Sequence, residues 1–220
     1  MAEVVLIYGK SGAGKSRSLK NFAEDEIFYV NVTDKRLPFA HGFKYVSTTD
    51  DVDKIIEGVE KMPCDVAVVD DAGYIMTNLF MAGHGKGDQF KLYNDIADKM
   101  WKLILGIKNM PNSGNKIVYI VFHEEKGDTG DSKLLTIGKL LDQKCNIEGL
   151  CTIVLHAMVK AGKHIFVTNS DGFDIAKSPE DMFPLEIDND LKAVDDRIRE
   201  FYHIKSTTTK SEKPKQEATK

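Results

Sequence analysis

Residues 9–16, Gly9-Lys10-Ser11-Gly12-Ala13-Gly14-Lys15-Ser16, have the types and spacing to hold a polyphosphate. They match G-x-x-x-x-G-K-[ST] at every fixed position. Glycines at such spacing let successive main-chain N–H groups turn inward around phosphate oxygens. Lys15 is expected to reach the β- and γ-phosphates, and the Ser16 hydroxyl to meet Mg²⁺. Arg17 follows at once and joins Gly9 to Ser16 as a candidate ATP contact. The expected cofactors are therefore ATP and Mg²⁺.

A second set of chemistry-bearing residues stands at the ends of apolar runs. Asp65-Val66-Ala67-Val68-Val69-Asp70-Asp71 reads as a buried strand delivering two carboxylates at its carboxyl end, where open α/β sheets bind ligands. Asp70 is assigned the metal. Asp71 is assigned the attacking water, as a base or by holding it through hydrogen bonds. His123 ends the following strand and is either a sensor of the γ-phosphate or a hydrogen-bonded loop residue. His156 lies within an apolar run and reads as a core histidine. Lys139, after Thr136-Ile137-Gly138, and Lys177, in Ala176-Lys177-Ser178-Pro179, are candidates for a cation supplied in trans to a neighbour's nucleotide.

These residues need elements to position them. Glu3 to Tyr8 reads as a strand entering the glycine loop, and Ser16 to Glu24 as a helix leaving it, with Leu19, Phe22 and Ala23 on one face. Strands are expected at 27–32 and, more weakly, at 44–47. Val52, Ile55, Ile56 and Val59 carry the helical repeat. Tyr74 to Met81 reads as helical, and 82–88 as a glycine-rich mobile loop. A long amphipathic helix follows, with Phe90, Tyr93, Ala97, Met100 and Ile104 on its inner stripe. Lys116 to Phe122 is a strand running into a polar excursion over 123–131, and Leu134 to Leu141 is a short helix. The runs 151–157 and 164–168 form an antiparallel edge hairpin around Gly162. Leu191, Val194, Ile198 and Phe201 mark the inner face of a closing helix. The pattern predicts an α/β fold over residues 1–204, a mostly parallel central sheet flanked by helices.

Composition narrows the classes. The chain has 220 residues, 42% of them hydrophobic, and a net charge of -4, so no global basic field favours nucleic acid. Residues 205–220 carry five lysines against two glutamates and are expected to be a disordered basic tail. Three cysteines without C-x-x-C spacing read as reduced thiols. No apolar run approaches the ~20 residues of a membrane span, so no membrane partner and a cytoplasmic location are expected.

Several stretches in order narrow the assignment further. Asp70-Asp71-Ala72-Gly73-Tyr74-Ile75-Met76 through Gly87-Asp88-Gln89-Phe90, then Thr136-Ile137-Gly138-Lys139, Ala176 to Phe183, and Asn189-Asp190-Leu191-Lys192-Ala193-Val194 resemble small phage-encoded P-loop ATPases with a RecA-type core. That group is similar to single-strand annealing recombinases of the RecA and Rad-type superfamily. The resemblance implies a RecA-like fold, ATP and Mg²⁺ binding, self-assembly into a homo-oligomer, and binding and annealing of single-stranded DNA helped by a single-strand DNA-binding protein. A phage-encoded chain would work in the host cytoplasm. By the same resemblance Lys15, Ser16, Asp70 and Asp71 fill phosphate and metal roles, and His123 the sensor position. Two features depart from it. The stretch after the second strand offers Asn31, Thr33 and Asp34 but no glutamate as hydrolytic base. The excursion after His123 carries Glu124, Glu125, Asp128 and Asp131 against Lys126. Two other functions share the loop: an ATP-dependent loader or switch for a helicase or single-strand DNA-binding protein, and a small nucleotide kinase.

Overall fold

The computed structural model describes residues 1–127 and 130–206; the expected basic tail from residue 207, and Asp128 of the excursion, lie outside them. In chain order the elements are β1 (Glu3–Gly9), β2 (Ile27–Asn31), β3 (Tyr45–Ser47), α1 (Val52–Lys61), β4 (Val66–Asp70), α2 (Gly73–Gly83) and α3 (Gln89–Lys108). Then come β5 (Ile117–Lys126), β6 (Ser132–Leu134), α4 (Lys139–Gln143), β7 (Ile153–Lys160), β8 (Lys163–Val167), β9 (Glu186–Asp188) and α5 (Leu191–Tyr202).

The strands line up β3-β2-β4-β5-β1-β7-β8-β9, with β6 paired to the end of β5. From β3 through β7 every pairing along this line is parallel; β7–β8, β8–β9 and β5–β6 are antiparallel. The chain leaves β1 for β2 in one direction across the sheet and returns through β4 to β5 in the other. Crossovers of a single hand then fall on opposite faces. Val4, Leu6 and Tyr8 accordingly pack with α1, α2 and α3, while Val5 and Ile7 pack with Leu19, Phe22 and α5. Both faces of the central strands are buried, which explains their unbroken apolar runs.

Aspartates start the helices where the pattern begins: Asp51, Asp88 and Asp190 each accept from main-chain N–H groups of the first turn. A buried polar group ties α5 beneath the sheet. Tyr119 donates to Asp195 at 3.1 Å, and Arg199 donates to Asp195 at 2.7 Å and to the Asn115 and Asp65 carbonyls.

Four expectations shift. The inner stripe of α3 is Ile96, Ala97, Met100, Leu103, Ile104 and Ile107; Phe90 is 75% exposed and Tyr93 37%, the latter packing beside Phe80 and Gly138 and not in the core. The glycine loop is shorter, since α2 keeps Ala82 and Gly83. The excursion after His123 is a hairpin: β5 continues to Lys126 and pairs back with β6. Leu134 therefore belongs to a strand, and only Lys139–Gln143 is helical, starting after Gly138 at φ 100°. The edge hairpin gains β9 as a third strand.

Candidate functional site

The glycine loop is built against its neighbours. A Cβ on Gly9 would lie 2.2 Å from the Ala157 carbonyl oxygen of β7, and one on Gly14 would lie 2.8 Å from both Asn189 Oδ1 and His164 Nδ1. Gly12 and Gly14 hold φ of 79° and 103°, the left-handed region open to glycine. Gly9→Ala is expected to lose about 3 kcal/mol of stability, since the obstacle is main chain that cannot rotate away; urea unfolding of the variant measures it.

The helix expected over Ser16 to Glu24 is a six-residue 3-10 turn, Ser16–Asn21. Phe22 is already extended, and Glu26 accepts from the Ala23 N–H at 2.8 Å in a turn that delivers Ile27 into β2. A longer helix would overrun that entry. The loop amides themselves must therefore supply most of the anion-binding field, with little macrodipole behind them.

Lys15 is buried, and its Nζ donates to the Gly9 and Lys10 carbonyls at 2.8 and 2.9 Å. Burial lowers its pKa, against Asp71 and Asp70, which raise it. Across the cleft Ser16 Oγ donates to Asp70 Oδ2 at 2.7 Å, and Tyr29 donates to the same oxygen at 2.8 Å. Burial pushes the Asp70 carboxyl upward, with Ser16 opposing it.

Asp71, one residue on, turns the other way. Its φ of 57° is strained for a side chain with a Cβ, and it separates the two carboxylates. Asp71 Oδ2 accepts from Lys35 at 2.7 Å and Thr33 at 3.2 Å; His123 Nε2 lies 3.1 Å from Oδ1, without hydrogen-bond alignment. Burial pushes this carboxyl up too, but His123 and Lys35 outweigh it and hold it below the usual range. Adjacent aspartates are thus driven apart, a pattern that separates chemical roles. An anion held this firmly orients a water better than it takes a proton.

A cavity of about 400 Å³ gathers Gly12, Lys15, Ser16, Arg17, Asp71 and His123. Lys35, Arg36, Pro38 and His164 also line it, and the sequence reading gave none of them a role. Lys35 and Arg36 were signalled by a basic pair just after β2. Tyr29 and His164 had no signal, being placed by pairing across the sheet; His164 Nδ1 reaches Ala13 O at 3.0 Å. Lys139 and Lys177 are not brought to this loop. Lys177 bridges Val154 through its main chain, and Lys139 opens α4 beside a separate groove. His156 is the core histidine expected: buried, stacked on Tyr8, and 2.9 Å from Glu124 and 3.3 Å from Asp174.

Among the described residues no three His, Cys, Asp or Glu side chains gather as a metal cage. A single carboxylate touching a single hydroxyl suits Mg²⁺, which keeps its waters and binds phosphate. None of the described helices is long and apolar enough to cross a membrane.

A mostly parallel sheet with a glycine loop at the carboxyl end of β1, faced by Ser16–Asp70, defines a P-loop nucleoside-triphosphate-binding protein. The chain belongs to the AAA domain family: the model described as AAA domain matches residues 1–179. This makes it an ATP-binding protein of a nucleotide-hydrolysing class. No curated protein matches the chain.

Proposed function

We propose that this chain is a RecA-like, Mg²⁺-dependent ATPase that binds and anneals single-stranded DNA in recombination, acting as a homo-oligomer with a single-strand DNA-binding protein as helper. One observation carries the reading. β5 lies between the strand of the phosphate loop and the strand of Asp70, presents His123 to Asp71, and runs straight on into the β5–β6 hairpin. The Leu135 N–H bonds back to the His123 carbonyl at 2.9 Å. A change in charge at the γ-phosphate end would thus act on the strand that continues into this hairpin. The resemblance of the later motifs to annealing recombinases supplies DNA as the partner. In this reading Ser16 and Asp70 hold Mg²⁺, Lys15 the phosphates, Asp71 the water, and Lys139 or Lys177 acts on a neighbouring protomer.

A second reading, an ATP-dependent loader or switch, is favoured by the end of β2. Asn31 there bonds the Lys35 N–H and carbonyl, shaping a turn instead of offering a base. The kinase reading has less support, because Arg197 and Arg199 are bound to main-chain carbonyls beside α5.

The test is ATP hydrolysis and sedimentation with and without single-stranded DNA, in wild type and Lys15→Ala. DNA-stimulated turnover and ATP-stimulated DNA binding, both lost in the variant, are expected. Binding to no single strand in either nucleotide state overturns the DNA role; negligible turnover with ATP-dependent binding retained selects the switch.

A further inference from the structure

A triphosphate is most highly charged at its γ-phosphate, and Asp71, placed to hold the attacking water, lines the same cavity with charge of the same sign. Lys139 and Lys177, the cations expected to help, stand away from the phosphate loop. We infer that Lys35, from the loop after β2, is a further catalytic residue, a cation supplied in cis that holds the γ-phosphate and joins it to Asp71. The inference rests on the ATPase part of the reading above and is independent of the DNA role.

The turn that carries Lys35 is fixed from within. Asn31, buried at the end of β2, donates to the Lys35 carbonyl at 2.8 Å and accepts from its N–H at 3.2 Å. Asp34, one residue earlier, takes the left-handed conformation at φ 53°, which a side chain with a Cβ enters at a cost. The main chain of Lys35 is thus pinned while its side chain stays 55% exposed at the cavity wall. Its ammonium donates to Asp71 Oδ2 at 2.7 Å and lies 4.9 Å from the centroid of the Tyr74 ring. Tyr74 also meets the His123 ring edge-on, with centroids 5.8 Å apart. One ring therefore seats both of the cationic or polar groups that flank Asp71.

Lys15 and Lys35 differ in what holds them. Lys15 is buried on two main-chain carbonyls, whereas among the described residues Asp71 is the one hydrogen-bond partner of the Lys35 ammonium. An ammonium has three donors, so Lys35 can keep its bond to Asp71 and give another to a phosphate oxygen. In hydrolysis the water oxygen bonds to phosphorus as the β–γ P–O bond breaks. The electron pair of that bond leaves with ADP, and the proton of the water ends on the released phosphate. Lys35 exchanges no proton; it offsets the charge on the γ-phosphate oxygens while Asp71 holds the water.

The experiment compares calorimetric titration with Mg²⁺–ADP and with the Mg²⁺ complex of a non-hydrolysable ATP analogue, alongside turnover and melting without nucleotide. Lys35→Ala is expected to weaken binding of the analogue about tenfold and to leave ADP binding unchanged, because only the analogue carries a γ-phosphate. Turnover should fall about 100-fold. Lys35→Arg should retain most of both, since this open position has room for a guanidinium that keeps the charge. Equal weakening of ADP and the analogue, or weakening of neither, overturns the inference while the ATPase reading stands. Faster turnover in Lys35→Ala also overturns it, and would make Lys35 a lock on Asp71. If wild type binds neither nucleotide, the ATPase reading falls and this inference with it.

Discussion

Lys15→Ala should weaken ATP binding by about 100-fold and abolish measurable turnover. The ammonium is buried at 7% exposure among main-chain carbonyls and two aspartates, so water can do little to replace it. Charge-assisted bonds to phosphate contribute about 1.5–3 kcal/mol, and the upper end corresponds to roughly 100-fold in affinity. The variant also frees the Gly9 and Lys10 carbonyls that Lys15 now bridges at 2.8 and 2.9 Å, which loosens the loop. Lys15→Arg should fare little better, because a planar guanidinium cannot take the place of a compact ammonium in so closed a site. Calorimetric titration with a non-hydrolysable ATP analogue reads the loss. An affinity within threefold of wild type would mean that phosphate is held elsewhere.

Asp70→Asn should separate stability from activity. Burial raises the Asp70 pKa, so its ionised form is costly in the folded state at neutral pH. That cost fades as pH falls through the raised value, and wild type and variant should converge there. Asparagine keeps an acceptor for Ser16 and Tyr29 without the charge. It is expected to gain about 1 kcal/mol of stability near pH 7 without nucleotide and to lose about 100-fold or more in hydrolysis. Mg²⁺ with ATP should raise the melting temperature of wild type far more than that of the variant. Asp71 behaves in the opposite sense: its pKa is depressed, so its contribution is present above the ordinary carboxylate range and is lost as pH falls. Equal melting temperatures for Asp70→Asn and wild type across pH 5 to 8, together with normal turnover, would remove Asp70 from the metal role.

Much of the fold was legible because its signals are local. Alternation of apolar runs with helical stripes marked β1, β2, β4, β5, β7, α1, α3 and α5, and Asp51, Asp88 and Asp190 sit where those helices start. The misjudged pieces are those whose conformation is set from a distance. Ser16–Asn21 stays a 3-10 turn because β2 must begin at Ile27. Leu134 is drawn into a strand by pairing with Glu124. Phe90 satisfied a helical period, yet it stays 75% exposed, because periodicity fixes the face of a helix and not how far the core reaches along it.

What the sequence determined by itself was the phosphate loop, since its glycines, lysine and serine are contiguous and main-chain geometry follows from their types alone. What the tertiary structure decided was which distant groups meet that loop. Asp70, 54 residues from Ser16, was legible from its place at a strand's carboxyl end, but Tyr29 on the same carboxylate and His164, 151 residues from Ala13, were not, since neither meeting is encoded in any local pattern. The left-handed turn at Asp71 sent one carboxylate to Ser16 and the next to Lys35 and His123. Two identical side chains acquired opposite electrostatics because parallel pairing of β4 and β5, and the loop after β2, surrounded them with different neighbours.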